Sequence, residues 1–295
     1  EQVDTELNIN STDGDALLAG IINWGKSETY DLDLETTNLN LGKIIQNPDL
    51  GKMSGAIKVE GNGFDLTSAT AKISGDIKHF FYNQYNYSQI ELKGNIENSR
   101  FNLNLFSNDP AARLNLAVSG VYNDKNPQAK IDGVINKLDF NKLNFYDEAL
   151  IIAGRVSGSF ENLNPDELNG NLYLRDFAVS DTQNVYPIQD IQILAKNTSD
   201  FNLLQLNSSF ADAKLEGKYR VSQIFQALKK TLNQYYPFFK NSKGLENIDP
   251  HQFFHLSVEI KNDNLLKNLI PNLNSFEPIS ISGDFNADFQ KIILN

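Results

Sequence analysis

His251-Gln-Phe-Phe-His255 places two histidines four residues apart, the spacing that lets two imidazoles on one helical face share a zinc ion. The glutamate that would follow the first histidine as general base is missing. Pro250 precedes the pair, and His255 opens the alternating run Leu256-Ser-Val258-Glu-Ile260, which reads as a strand. They read as surface or packing histidines. Asp31, Asp33 and Glu35 form a carboxylate row, and paired carboxylates do acid–base work in glycosidases at the right separation. Here they alternate with Leu32 and Leu34, which makes them the solvated face of an amphipathic strand. Asn8 to Asp15 has the acidic spacing of a calcium loop but lacks its distal bidentate glutamate. Tyr82, Tyr85 and Tyr87 are the one cluster that hints at a carbohydrate platform.

Composition narrows the chemistry further. The 295 residues include no cysteine and three histidines, so thiol catalysis, disulfides, iron–sulfur ligation and cysteine-based zinc sites are excluded. There is no Gly-rich phosphate loop, no G-x-S-x-G elbow, and no kinase or Rossmann signature. No catalytic residue, metal or cofactor is expected. A net charge of -11 disfavours nucleic acid, because nothing neutralises phosphates. At 40% hydrophobic residues the chain has enough apolar content for a core.

The elements come from period-two alternation. Tyr30-Asp-Leu32-Asp-Leu34, Phe101-Asn-Leu103-Asn-Leu105 and Leu114-Asn-Leu116-Ala-Val118 each put apolar residues on one face and polar residues on the other. That pattern predicts an antiparallel sheet buried on one side. Turn signals such as Asn62-Gly63, Asn108-Asp-Pro110 and Asn164-Pro165 separate roughly fifteen strands up to residue 221.

A motif recurs within these strands: apolar, any, Gly, any, apolar. Its glycines include Gly55, Gly75, Gly94, Gly120, Gly133 and Gly154. Each shares a face with its two apolar flanks. A strand glycine marks a bend or a close approach, and many on one face would let the sheet curl toward that face. The other reading is that they mark bulges in a sandwich.

From Ser222 to Tyr236 the period changes. Ile224, Phe225, Leu228, Leu232 and Tyr235 form a helical stripe, with Ser222 as N-cap and Pro237 as the stop. Phe225, Leu228 and Leu232 are its expected packing face. A second short helix is expected from Asp263 to Leu269. The organisation is therefore a β-repeat region over 1–221, a helical insert over 222–252, and a β continuation with a short helix over 253–295. No leader is visible at residue 1, and the longest apolar stretches fall far short of the roughly 20 residues of a membrane helix. The only methionine is Met53, so the chain reads as a piece of a longer protein.

Leu39-Asn-Leu41-Gly-Lys-Ile-Ile-Gln-Asn-Pro-Asp-Leu50-Gly-Lys resembles the segment that begins a repeat block in TamB proteins of Bacteroidota, in the AsmA-like group. Gly61-Asn-Gly63-Phe-Asp-Leu66 and Tyr85-Asn-Tyr87-Ser-Gln-Ile90-Glu-Leu92-Lys-Gly94 are similar to the same pattern. So are Leu215-Glu-Gly217-Lys-Tyr219 leading into the helix, and the stretch from Asn272 to Gly283. The resemblance covers most of the chain and rests on degenerate motifs in combination.

What it implies is a mainly β chain. Its long antiparallel sheet would be curled into a U-shaped groove, a β-taco, with a short helical insert near residues 222–270. The group is periplasmic, anchored in the inner membrane, and engages an outer-membrane barrel of the Omp85 class. It is associated with moving phospholipid between the membranes and with outer-membrane biogenesis. Anchor and docking region are not recognisable here, so the barrel partner is assigned to no residue. On this reading the inward positions beside the motif glycines contact acyl chains: Ile73, Ile77, Leu92, Ile96, Leu116, Val118, Ile131, Ile135, Val156 and Leu172. The competing expectation is a non-catalytic structural or adhesive repeat with a closed, dry core.

Overall fold

In the computed structural model, residues 2–25, 28–181, 184–235, 249, 251–269, 276–286 and 291–294 are described. The chain is mainly β, at 65% strand and 9% helix. Its strands are β1 (Gln2–Ser11), β2 (Gly14–Asn23), β3 (Thr29–Asn40), β4 (Leu50–Asn62), β5 (Thr70–Tyr82), β6 (Tyr85–Glu97), β7 (Arg100–Asn108), β8 (Ala112–Val121) and β9 (Gln128–Asp139). They continue as β10 (Ile151–Asn162), β11 (Asn169–Ser180), β12 (Val185–Pro187), β13 (Ile191–Asn197), β14 (Asn202–Asn207), β15 (Ala211–Lys218), β16 (Phe253–Ile260), β17 (Ile279–Asn286) and β18 (Lys291–Leu294). The helices are α1 (Leu41–Ile45), α2 (Ile224–Tyr235) and α3 (Asn264–Leu269). The strands belong to one antiparallel sheet.

Two compact units divide the chain. The first comprises residues 1–124, 129–157 and 178–186, and the second 125–128, 158–177 and 187–295. The change-overs fall inside β10, β11 and β12, and residues 125–128, between β8 and the start of β9, group with the second unit.

In the first unit, strands pair with their neighbours in the chain as a meander. Its register lines up apolar residues in rows across the strands. One row is Leu7, Leu18, Leu34, Ile57, Gly75, Leu92, Leu105 and Leu116. The next is Thr5, Gly20, Leu32, Val59, Ile73, Gly94, Leu103 and Val118. A third is Val3, Ile22, Tyr30, Gly61, Ala71, Ile96, Phe101 and Gly120. The glycines are staggered, so each is flanked along its row by residues with side chains.

The glycines are not equivalent. Gly20 has φ +147°, and a Cβ there would lie 2.0 Å from the Asp31 carbonyl oxygen. A Cβ on Gly133 would meet the Asn115 carbonyl oxygen at 2.3 Å. At both positions a side chain would strike the neighbouring strand's main chain. A Cβ on Gly75 meets Ile57 and Leu92 at 3.7 Å, an ordinary contact, so steric need does not explain the glycine at that position.

A crease crosses four of these strands. The β3–β4 register shifts between Thr36 and Leu39, and the β4–β5 register between Ser54 and Gly55. Asn38 and Gln89 take left-handed φ of 51° and 53°. Beyond the crease the alternation restarts out of phase. On β5 the inward residue after Ile77 is Phe80 rather than His79, and His79 is exposed. Bulges turn strands and re-aim side chains in this way.

In the second unit, β13 to β17 pair in chain order, and the insert leaves between β15 and β16, which pair from Lys218↔Phe253 onward. The buried Gln252 clasps the insert's ends. Its Oε1 accepts from Arg220 N at 2.9 Å, and its Nε2 donates to Asp249 O at 3.1 Å and Gln223 Oε1 at 3.3 Å. Here the helix corrects two expectations. Ser222 is not the N-cap: it sits in a 3-10 turn and donates to Asp166 through N and Oγ at 2.9 and 2.8 Å. Phe225 is 70% exposed, while Ala227 is buried and packs with Ile224 and Leu228 on Tyr219, Phe254 and Phe285. A packing stripe through Ile224, Ala227 and Leu228 turns the side of the helix bearing Phe225 outward. The side chains of Leu232 and Tyr235, and Pro237, Pro250 and Pro271, lie outside the described residues. The helix expected near Asp263 forms as α3, with Asp263 Oδ1 accepting from Leu265 N at 2.7 Å.

Candidate functional site

Among the described residues, those singled out for their chemistry lie apart and already have partners. His255 lies on β16 rather than on a helix and bonds Asp284 across the strand pair at 2.8 Å. Asp31 and Asp33 are exposed and share Lys58 at 2.8 and 3.5 Å, as a solvated face would. Among the described residues no cluster of His, Asp or Glu could hold a metal ion. The tyrosine cluster is not an open platform. Tyr85 and Tyr87 meet edge-to-face at 4.9 Å and pack on Ala111, Ala112 and Leu143.

What the fold does build is an apolar face on the first unit. In the three rows above and the adjoining one through Ile77, Ile90 and Leu114, no Leu, Ile, Val or Phe is buried; from β2 to β8 those side chains are half-buried. Of the expected groove residues, Ile73, Ile77, Leu92, Ile96, Leu116 and Val118 stand together on it. Ile131 and Ile135 flank Gly133 on β9, also half-buried. Val156 is corrected: at 7% exposure it has almost no surface to offer a ligand. Leu172 is in the second unit, paired with Ile193.

Two hollows open on this face toward opposite ends of the strands. The first, about 390 Å³, is lined by Tyr30, Val59, Ile73, Ile96, Leu103 and the Gly63–Ala69 connection. Phe64 folds over its rim and stacks on Tyr30 at 5.5 Å. The second, about 290 Å³, is lined by Phe80, Tyr87, Ile90, Leu114, Phe140 and Phe145, with their neighbours. Ile73 and Phe80 share β5, so roughly 23 Å separates them at about 3.3 Å per residue.

The second hollow has a built end wall. Leu143, from the β9–β10 connection, is 3% exposed and packs on Ala111 and Ala112. Behind it, Asp109 is 1% exposed and accepts five hydrogen bonds. They come from Tyr85 Oη at 2.7 Å, Ser88 N and Oγ at 2.9 Å, Ala111 N at 2.8 Å and Ala112 N at 3.1 Å. Burial pushes this carboxyl up, but the donors outweigh it and hold the group below its ordinary value. Burial and the Asp109 hydrogen bond together raise the Tyr85 hydroxyl. Sequence reading identified Asn108-Asp-Pro110 as a turn and missed this carboxylate. The signal was the buried aspartate of an Asx turn, which only its distant donors Tyr85 and Ser88 reveal.

In the second unit α2 packs on an aromatic cluster. Phe254 stacks on Phe285 at 4.7 Å, and burial raises the Tyr219 hydroxyl to about 12. A polar hollow of about 350 Å³ beside it includes Asp166, Arg220 and Asp249. Those charges already have partners, Ser222 for Asp166 and Arg220 with Asp249 at 3.5 Å.

No protein-family model matches this chain, and neither the curated proteins nor the solved structures contain a match.

Proposed function

We propose that this chain binds phospholipid by its acyl chains along the apolar face of the first unit. In this reading it is a non-catalytic segment of a periplasmic bridge of the TamB and AsmA-like kind. Such a bridge conducts lipid between inner and outer membrane in support of outer-membrane biogenesis. An Omp85-class barrel would be engaged by other parts of a longer protein.

One observation carries the reading: along four rows from β2 to β8 the Leu, Ile, Val and Phe side chains are held in register on one face, yet none of them is buried; the buried Leu39 and Met53 pair with each other beyond the crease. A dry core would cover them, because each Å² of apolar surface left in water costs about 25 cal/mol. An acyl chain gains about 0.8 kcal/mol per methylene buried there, and no bond chemistry is needed to move it along. The competing reading is a structural repeat with a closed core. The packed cluster of Tyr219, Ala227, Phe254 and Phe285 is the observation on its side.

The test is mass spectrometry of lipid extracted from the purified chain, beside Ile77→Asp and Ile135→Asp variants. Phospholipid on the folded wild type and its loss from folded variants is the expected result. A well-folded wild type without lipid would sink the proposal in favour of the structural repeat.

A further inference from the structure

We propose that the hollow under the β9–β10 connection is a blind pocket for the methyl end of an acyl chain, and that its end wall sets the longest chain the face accepts. The inference rests on the acyl-binding reading above.

Three features argue for it. The lining is aromatic and aliphatic, from Phe80, Tyr87, Ile90, Leu114, Phe140 and Phe145. The lining residues Leu143 and Ala112 are buried and pack in one cluster with Ala111, which makes the wall. The buried charged groups there are already engaged: Asp109 is saturated by five donors, Asp139 accepts from Lys142 N at 3.2 Å and pairs with Lys137 at 3.6 Å, and no buried side-chain polar atom among the described residues lacks a partner. The wall therefore has no hydrogen bond to offer a head group, and desolvating one there would go uncompensated. A methyl terminus meets no such penalty. A ligand's polar end is directed away from this wall, along the rows toward Ile73 and Leu103, and a chain too long for the path is stopped at Leu143.

A dansyl-labelled fatty acid bound to the whole 295-residue chain can be displaced by saturated fatty acids from decanoate to eicosanoate. Affinity should rise roughly fourfold per methylene until the wall is reached, then level or fall. Leu114→Trp fills the pocket and should move that limit to shorter chains while leaving the shortest acids unaffected. Leu143→Ala lowers the wall and should move it to longer chains. Opposite shifts in two variants do not come from general loss of structure. If Leu143→Ala fails to fold by circular dichroism, Phe145→Ala, a half-exposed residue of the same roof, takes its place. A limit that stays put in the variants, or a Leu114→Trp that weakens all lengths equally, would overturn the pocket while leaving acyl binding intact. A wild type that binds no probe would overturn both readings.

Discussion

Asn83 and Asn144 each donate a side-chain N–H to the other's main-chain carbonyl, at 2.9 and 3.0 Å, although 61 positions separate them. Both residues take left-handed φ, 49° and 59°. Asn83 Nδ2 also donates to Leu143 O at 3.1 Å. This exchange ties the β5–β6 turn to the β9–β10 connection and holds Leu143 over the second hollow.

Cutting the clasp should loosen the roof more than the sheet. Asn144→Ala removes one hydrogen bond and a residue suited to positive φ, so about 1–2 kcal/mol of local stability is expected to go. Hydrogen exchange should speed up over residues 140–146 and stay slow in β6 and β7. Equal acceleration across the sheet would mean the clasp is not a local fastening.

Asp109 ties the acid limit of stability to this end wall. Its folded pKa is lowered, so its contribution is fully present above the unfolded value of about 3.9 and is lost as pH falls through the folded one. Tyr85 behaves in the opposite sense: its pKa is raised, so its contribution holds below about 10 and is lost as pH climbs through the folded value. Urea melts between about pH 2 and pH 7 should show a steep acid limb that Asp109→Asn flattens. Asp109→Ala strands several buried donors and should cost about 3 kcal/mol or more at neutral pH.

The glycines should separate under alanine substitution. Gly75→Ala has ordinary contacts around its new Cβ and is expected within about 1 kcal/mol of wild type. Gly133→Ala and Gly20→Ala collide with main-chain oxygens and should cost several times more, with thermal melts as the measure. Similar losses at all three positions would mean that freedom from side-chain bulk is needed at every motif glycine.

On α2, Phe225→Ser should change stability by no more than about 0.5 kcal/mol, because the ring is solvent-facing. Ala227→Asp places an unpaired charge between Tyr219 and Phe285 and should destabilise the second unit by several kcal/mol. Chemical denaturation of the two variants is sufficient, and the reverse ranking would show that the helix packs by the other face.

The fold class was legible because period-two alternation dictates which residues share a face wherever a strand is regular. Strand after strand from Leu7 to Leu116 obeyed it, and the change to helical spacing at Ile224 marked the insert.

What alternation does not carry is anything that resets its phase or comes from far away in the chain. On β5 the extra residue Lys78, between the partners of Gly55 and Ser54, resets the phase, and so Phe80 rather than His79 follows Ile77 inward. On the helix, Phe225 and Ala227 both lie close to the stripe. Only the position of Phe254 and Phe285 decided that the smaller residue is buried. The end wall depends on Asp109 meeting Tyr85 and Ser88, and on Asn83 meeting Asn144. Local preference fixes a strand's faces, whereas such meetings exist only once the meander has brought distant turns to one end of the sheet.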